Sequence, residues 1–178
     1  MAGDERIRLF CGLQLPDGVG SELAEWAGRE VRAGRLVHAD DLHVTLAFLG
    51  SRPANEVPAI ATALRKAAGA ATGIELRPLR YRETRSVGMI VLDDVGGAAT
   101  ALADDLQGRL EELGVYRREP RQWLPHVTVV RFRERAGARP DVANMRSIHV
   151  VRSALYRSSL GSGGARYDAL ETAALGGR

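Results

Sequence analysis

Leu42-His43-Val44-Thr45-Leu46-Ala47-Phe48-Leu49-Gly50 decides how this chain is read, because Pro125-His126-Val127-Thr128-Val129-Val130-Arg131-Phe132-Arg133 repeats its core. Each stretch has His-Val-Thr followed by an aliphatic residue. The chain holds only 4 His, so two of them in one setting is more specific than most short motifs. In a strand, side chains at i and i+2 share a face. His43 and Thr45 therefore project together while Val44 and Leu46 pack behind them. His126 and Thr128 stand over Val127 and Val129 in the same way. A copy in each half of the chain predicts two similar lobes related by a pseudo-two-fold. If the two strands line one groove, two imidazoles and two hydroxyls converge on one centre.

Two imidazoles suit one reaction type above others. With an unperturbed pKa of about 6.5, one can be neutral while the other is protonated near neutral pH. One takes a proton from water and the other gives a proton to a departing alkoxide, which is general acid–base hydrolysis of a phosphodiester without a metal. The threonine hydroxyls would donate to the non-bridging phosphate oxygens, where charge builds in the transition state.

Outward from the repeat, the pattern is α+β. Strands are expected over 7–15, 43–49, 73–82, 87–92, 126–132, 147–155 and 166–172. Helices are expected over 21–31, 55–70 and 98–113, the last with Leu102, Leu106, Leu110 and Leu113 at helical spacing and Gly114 as its stop. Residues 115–125 read as an irregular connector, the Gly/Ser-rich 158–165 as a mobile segment, and 176–178 as a frayed tail. No βαβ series with a phosphate-binding glycine loop is present.

Composition narrows the classes. At 178 residues the chain is one domain, or two small lobes sharing a core. Cys11 is the single cysteine, which excludes an internal disulfide and speaks against a cysteine-built zinc site. No apolar run approaches the roughly 18 residues of a membrane span. Residues 1–8 mix acids and bases, unlike a signal peptide, so the expected compartment is the cytoplasm. The basic residues are almost all arginine, with Lys66 the only lysine; the net charge is +3 and the pI about 9.5. That charge does not suggest a nucleic-acid coat, but it permits a local phosphate pocket, for which the planar guanidinium is suited.

With these motifs the chain resembles the 2H phosphoesterase superfamily, and within it the RNA 2′,3′-cyclic phosphodiesterases, also called 2′-5′ RNA ligases or LigT-like proteins. The resemblance runs nearly end to end. It includes Arg8-Leu9-Phe10 with Leu13-Gln14-Leu15-Pro16, both His-x-Thr stretches, and Leu155-Tyr156-Arg157-Ser158 with Gly164-Ala165-Arg166-Tyr167. It implies a bilobal, pseudo-two-fold duplicated α+β fold, 1–178 as a single unit, with antiparallel sheets lining a central cleft and helices outside. It implies that His43 is the general acid for the leaving O3′ and His126 the general base for water. It further implies that Thr45, Thr128 and Arg131 hold the phosphate. Arg131 lies an odd number of positions from His126, so a bulge, a twist or its long side chain must bring it to the same face.

Other residues carry weaker readings. His38 and His149 lack a threonine two positions on and read as structural or surface groups. Trp123, Phe48, Tyr156 and Tyr167 are stacking candidates for a base, and Arg157 and Arg118 candidates for RNA backbone. Asp93-Asp94 and Asp104-Asp105 read as solvated faces, and no metal or cofactor is expected. The expected partner is RNA with a 2′,3′-cyclic phosphate end, or a small cyclic nucleotide, met by a monomer without a membrane. The alternatives are another small cyclic phosphate such as ADP-ribose 1″,2″-cyclic phosphate, reversible 2′-5′ ligation, or an RNA-end binding module that turns over nothing.

Overall fold

The structure, a computed structural model, describes residues 5–176. The elements run β1 (Arg6–Gln14), α1 (Val19–Glu30), β2 (Arg35–Leu36), β3 (His43–Pro53), α2 (Val57–Ala70), β4 (Ile74–Glu83), β5 (Val87–Val95), α3 (Ala98–Glu112), β6 (His126–Arg131), β7 (Ile148–Val150), β8 (Arg152–Gly161) and β9 (Gly164–Ala174). Leu102, Leu106 and Leu110 of α3 and the Ile60, Leu64 and Ala67 stripe of α2 are buried, as helical spacing requires, while Leu113 lies just past the end of α3 and is exposed. Asp94, read from sequence as part of a solvated pair, instead starts α3. Its carboxylate accepts the backbone N–H groups of Ala99 and Thr100 and the Thr100 hydroxyl. Those are amides the first helical turn leaves without a partner.

All strands join one antiparallel sheet in the order β7-β4-β5-β6-β3-β1-β8-β9, with β2 alongside β6. It curls into a half-barrel. The two repeat strands, β3 and β6, are neighbours at its centre, paired through Val44 and Val127. Outward from that seam, β5, β4 and β7 lie on one side and β1, β8 and β9 on the other. The duplicated halves expected from the repeat are thus fused edge to edge in a single sheet. Val44, Val127 and Ile90 are fully buried cross-strand neighbours, and they define the face that carries the helices. On it α2 packs against β8 and β9, α3 against β3, β4 and β5, and α1 against β6. Gln107 of α3 donates to the Leu46 carbonyl. No helix among the described residues is long and apolar enough to cross a membrane.

Three sequence expectations are corrected. The strand expected over 147–155 breaks at Val151, because Ile148–Val150 pairs with β4 at one edge while Arg152–Gly161 pairs with β1 in the other half. Alternation persists through the break, so periodicity cannot show it. The segment read as mobile, 158–165, forms the end of the β8–β9 hairpin, paired to Gly161–Gly164. Arg35 of β2 donates to the Gly163 carbonyl at 2.8 Å, joining that turn to the other half of the sheet. Gly164 has φ 110°, and a Cβ there would collide with the Arg35 guanidinium. Of the expected frayed tail, Gly176 is held by a bond from its N–H to the Ala68 carbonyl, and 177–178 lie outside the described residues.

Candidate active site

Antiparallel register turns the repeat into a square. With Val44 opposite Val127, the flanking positions place His43 beside Thr128 and Thr45 beside His126. The histidines then lie on one diagonal, where such pairs are roughly 7–8 Å apart at Cα, space enough for a phosphate between their rings.

Both imidazoles are held the same way. His43 Nδ1 donates to the Asp41 carbonyl at 2.8 Å, and His126 Nδ1 donates to the Leu124 carbonyl at 2.8 Å. A carbonyl can only accept, so the proton sits on Nδ1 and the Nε2 lone pair is left for the cleft. His43 Nε2 accepts from the Thr45 hydroxyl at 2.9 Å.

The geometric difficulty at Arg131 resolves in a bulge. In β6, Met89 pairs with Thr128 but Gly88 pairs with Val130, so Val129 is the extra residue. Val129 and Val130 are both buried, and Arg131 emerges exposed on the side of His126 and Thr128. The matching position of β3 is also bulged: Gly12 pairs with Thr45 and Cys11 with Ala47, so Leu46 is extra. Phe48 therefore emerges on the histidine side and is 65% exposed. Phe48 and Arg131 hold equivalent places in the two halves, each five residues after its histidine.

The surroundings of the two histidines differ. His43 is half-buried against Phe10, with ring centroids 4.6 Å apart, and meets Tyr167 edge-on at 5.3 Å. Tyr156 stacks on Phe10 at 4.9 Å. Burial, with the nearby His126 and Arg131 charges, lowers the His43 pKa to about 4, against the opposing bond to the Asp41 carbonyl. Those contributions mark His126 and Arg131 as electrostatic neighbours of His43, so the structure brings the two motifs and the arginine together. Burial pushes the Tyr156 hydroxyl up to about 12 and the Cys11 thiol up to about 12, so neither ionises near neutral pH.

The remaining candidates divide. Phe48, Tyr156 and Tyr167 lie on the histidine side, with Phe10 5.9 Å from Phe48. Trp123 is fixed instead in the seam, its Nε1 donating to the Thr45 carbonyl. Arg118 is engaged by Asp104 and Glu111 beside α3, and Arg157 by Asp168 across the hairpin. His38 accepts from the Asp40 N–H in a 3-10 turn, and His149 is exposed on β7, opposite Glu75. No three His, Cys, Asp or Glu side chains among the described residues gather as metal ligands.

Sequence reasoning missed Phe10, which reads as an ordinary core residue, and the two anchoring carbonyls, which have no side-chain signal. It also missed Gly12. A Cβ there would sit 3.0 Å from the Val44 carbonyl oxygen and 3.3 Å from His43 Cδ2, so a side chain at this position would press on the strand and the imidazole edge.

Comparison with known proteins agrees with this geometry. The LigT like Phosphoesterase family model matches residues 13–81. The RNA 2′,3′-cyclic phosphodiesterase of Escherichia coli (strain K12) is 29% identical over 174 residues, covering 96% of this chain and 98% of the relative. The crystal structure of E. coli LigT with 3′-AMP superposes with a TM-score of 0.78 at 28% identity, covering 97% of this chain and 99% of that one. A Thermus thermophilus protein superposes with a TM-score of 0.81 at 29% identity, covering 97% and 100%. In sequence and in fold, the chain is thus similar to LigT-like phosphoesterases along nearly its whole length.

Proposed function

We propose that the chain hydrolyses 2′,3′-cyclic phosphate ends of RNA, or of nucleotides, to 2′-phosphomonoesters by two-histidine acid–base chemistry without a metal ion. The activity that names the E. coli relative and the 3′-AMP complex of E. coli LigT support the substrate class. The observation that carries the mechanism is the matched anchoring of His43 and His126 on diagonal corners of one square.

Water enters opposite the P–O3′ bond. His126 Nε2 takes its proton as the oxygen bonds to phosphorus, the P–O3′ bond breaks, and His43 Nε2–H gives its proton to O3′. The products are a 3′-hydroxyl and a 2′-phosphate. Thr45, Thr128 and Arg131 hold the non-bridging oxygens, where negative charge accumulates. The free protein keeps His43 neutral at pH 7. A bound phosphodiester brings a negative charge that opposes Arg131 and His126, so the acid loads its proton together with the substrate. Residues 1–178 act in this reading as one unit, each half of the sheet supplying one His-x-Thr strand, in a cytoplasmic monomer.

The test is a product assay in EDTA on a short RNA ending in a 2′,3′-cyclic phosphate. A 2′-phosphate end is expected, with turnover reduced by about 10²–10⁴ in His43→Ala and in His126→Ala. A 3′-phosphate end would reverse acid and base. Ordinary turnover in either variant, or loss of turnover in EDTA, would overturn the mechanism.

A further inference from the structure

The register of the sheet places a second feature on the cleft side, two strands from the repeat. His126 pairs with Val91, which pairs with Arg80; Thr128 pairs with Met89, which pairs with Arg82. Cross-strand partners share a face. Arg80 and Arg82 therefore project from the same face as His126 and Thr128, at roughly 10 Å by strand spacing. Both are exposed, and among the described residues neither has a carboxylate partner.

This part of β4 is a free edge, because β7 pairs only with Ile74–Leu76. Beside it runs an open groove of about 600 Å³, whose far wall is the loop 135–142. Arg135 and Arg139 line that wall; Arg135 lies 3.5 Å from the Glu83 carboxylate, so Arg80, Arg82 and Arg139 are the groove's arginines without a carboxylate partner among the described residues. Its two carboxylates are engaged. Glu83 is buried and accepts from the Tyr81 hydroxyl and from the backbone N–H groups of Gly137 and Ala138, which ties the wall to β4. Asp141 accepts from the Ala143 N–H in its own turn.

We propose that this groove binds the phosphodiester backbone of the RNA strand on the 5′ side of the reacting end. The physiological substrate is then a single-stranded RNA several nucleotides long rather than a mononucleotide. The inference rests on the cyclic-phosphate reading above and adds the part of the substrate that does not react. Two observations give the strand its direction. The half of the cleft built on β1, β3, β8 and β9 presents Phe48, Tyr156 and Tyr167, flat faces for the terminal base, backed by the buried Phe10. The other half presents arginines without a base platform. Even a helically stacked strand, rising about 3.4 Å per phosphate, covers the roughly 10 Å from Thr128 to Arg82 within three nucleotides. A guanidinium fits a phosphate bidentately, and the exposed setting keeps it free to follow the chain.

The experiment compares two substrates with the protein and the double variant Arg80→Ala/Arg82→Ala. One substrate is a nucleoside 2′,3′-cyclic phosphate; the other is a six-nucleotide single strand with the same end. The expected result is a kcat/KM at least tenfold lower for the oligonucleotide, with the mononucleotide unchanged within twofold. The dependence of log(kcat/KM) on log[salt] should flatten by about 1 for the oligonucleotide alone. Mononucleotide turnover is also the check that the variant is folded. Equal losses on both substrates, or no loss on either, would overturn the groove. If the unaltered protein turns over neither substrate, the cyclic-phosphate reading has failed instead. The groove is then judged by salt-dependent fluorescence anisotropy of the same oligonucleotide. Weaker binding by the double variant supports it, and equal binding overturns it.

Discussion

His43 should make the stability of this protein depend on pH in a defined window, and replacing it with asparagine should remove that dependence. In the unfolded chain the imidazole titrates near 6.5; in the folded protein burial, His126 and Arg131 bring it to about 4. Between these values the unfolded state holds a proton that the folded state does not, so stability rises with pH. It is complete above about 6.5, falls as the pH drops through the window, and levels below about 4. At about 1.4 kcal/mol per pH unit of displacement, the gap amounts to roughly 3 kcal/mol. Urea denaturation at half-unit steps from pH 3.5 to 7.5 measures it, taken as the difference between the protein and His43→Asn. The difference largely cancels groups that titrate alike in both. Asparagine can still donate to the Asp41 carbonyl, which preserves the anchor at that end. Two-dimensional NMR of the ring supplies the independent midpoint. A difference flat to within about 0.5 kcal/mol, or a ring midpoint near 6.5, would refute the account of the site's electrostatics. With a 2′-phosphorylated nucleotide bound, the midpoint should climb toward neutrality, because the anion opposes the neighbouring Arg131 charge.

Two further substitutions probe how the site is held. Gly12→Ala should lower kcat by tenfold or more, since its Cβ would meet the Val44 carbonyl oxygen and the edge of the His43 ring; steady-state kinetics beside thermal melting reads it, and unchanged kcat would show that the ring yields freely. Asp94→Ala should cost about 1–2 kcal/mol of stability by leaving the start of α3 without its acceptor, measured by denaturant melting, with no change in kcat beyond twofold.

What could be read in the sequence was what side-chain alternation carries. His-Val-Thr fixes which side chains share a face, and that parity survives folding. The third helix was equally plain, since Leu102, Leu106 and Leu110 at helical spacing mark the face it buries, although Leu113, counted with them, lies past its end and is exposed. Register was not readable. A bulge at Leu46 or Val129 is a backbone event at an aliphatic residue that looks like any other strand position, yet it decides where Phe48 and Arg131 point. The sequence could state that Arg131 needed a bulge, a twist or its long side chain to reach the histidine face, but not which, nor that β3 carries a bulge at the same step. Residues 158–165 misled for a related reason. Gly and Ser there signal backbone freedom, but Gly164 uses it for a turn held by Arg35, a partner more than a hundred residues away. Trp123 shows the limit of residue type, which does not foretell that its indole N–H donates to the Thr45 carbonyl.

Duplication raises a chemical problem that this sheet solves through surroundings. Two copies of one strand supply two identical imidazoles, identically anchored, whereas acid–base hydrolysis needs one with a proton and one without. The difference has to come from what the pseudo-two-fold does not repeat. Around His43 the unmatched residues are Phe10, Tyr156 and Tyr167, which withdraw water; His126 has no such aromatic wall among the described residues. At the paired bulges the unmatched residues are Phe48 and Arg131, one apolar and one cationic. The apolar half makes a charged His43 costly, so in the proposed mechanism its proton would be held weakly and given up readily once the phosphate had drawn it in. The cationic half offers the anion a fixed charge. In the proposed mechanism one strand motif would thus yield opposite proton roles because its two copies face different walls. On the same proposal the polarity of those walls would also set which way a nucleotide lies, base toward the aromatic half and phosphate toward Arg131. Exchanging the histidines' neighbours, rather than the histidines, is therefore what would exchange their roles.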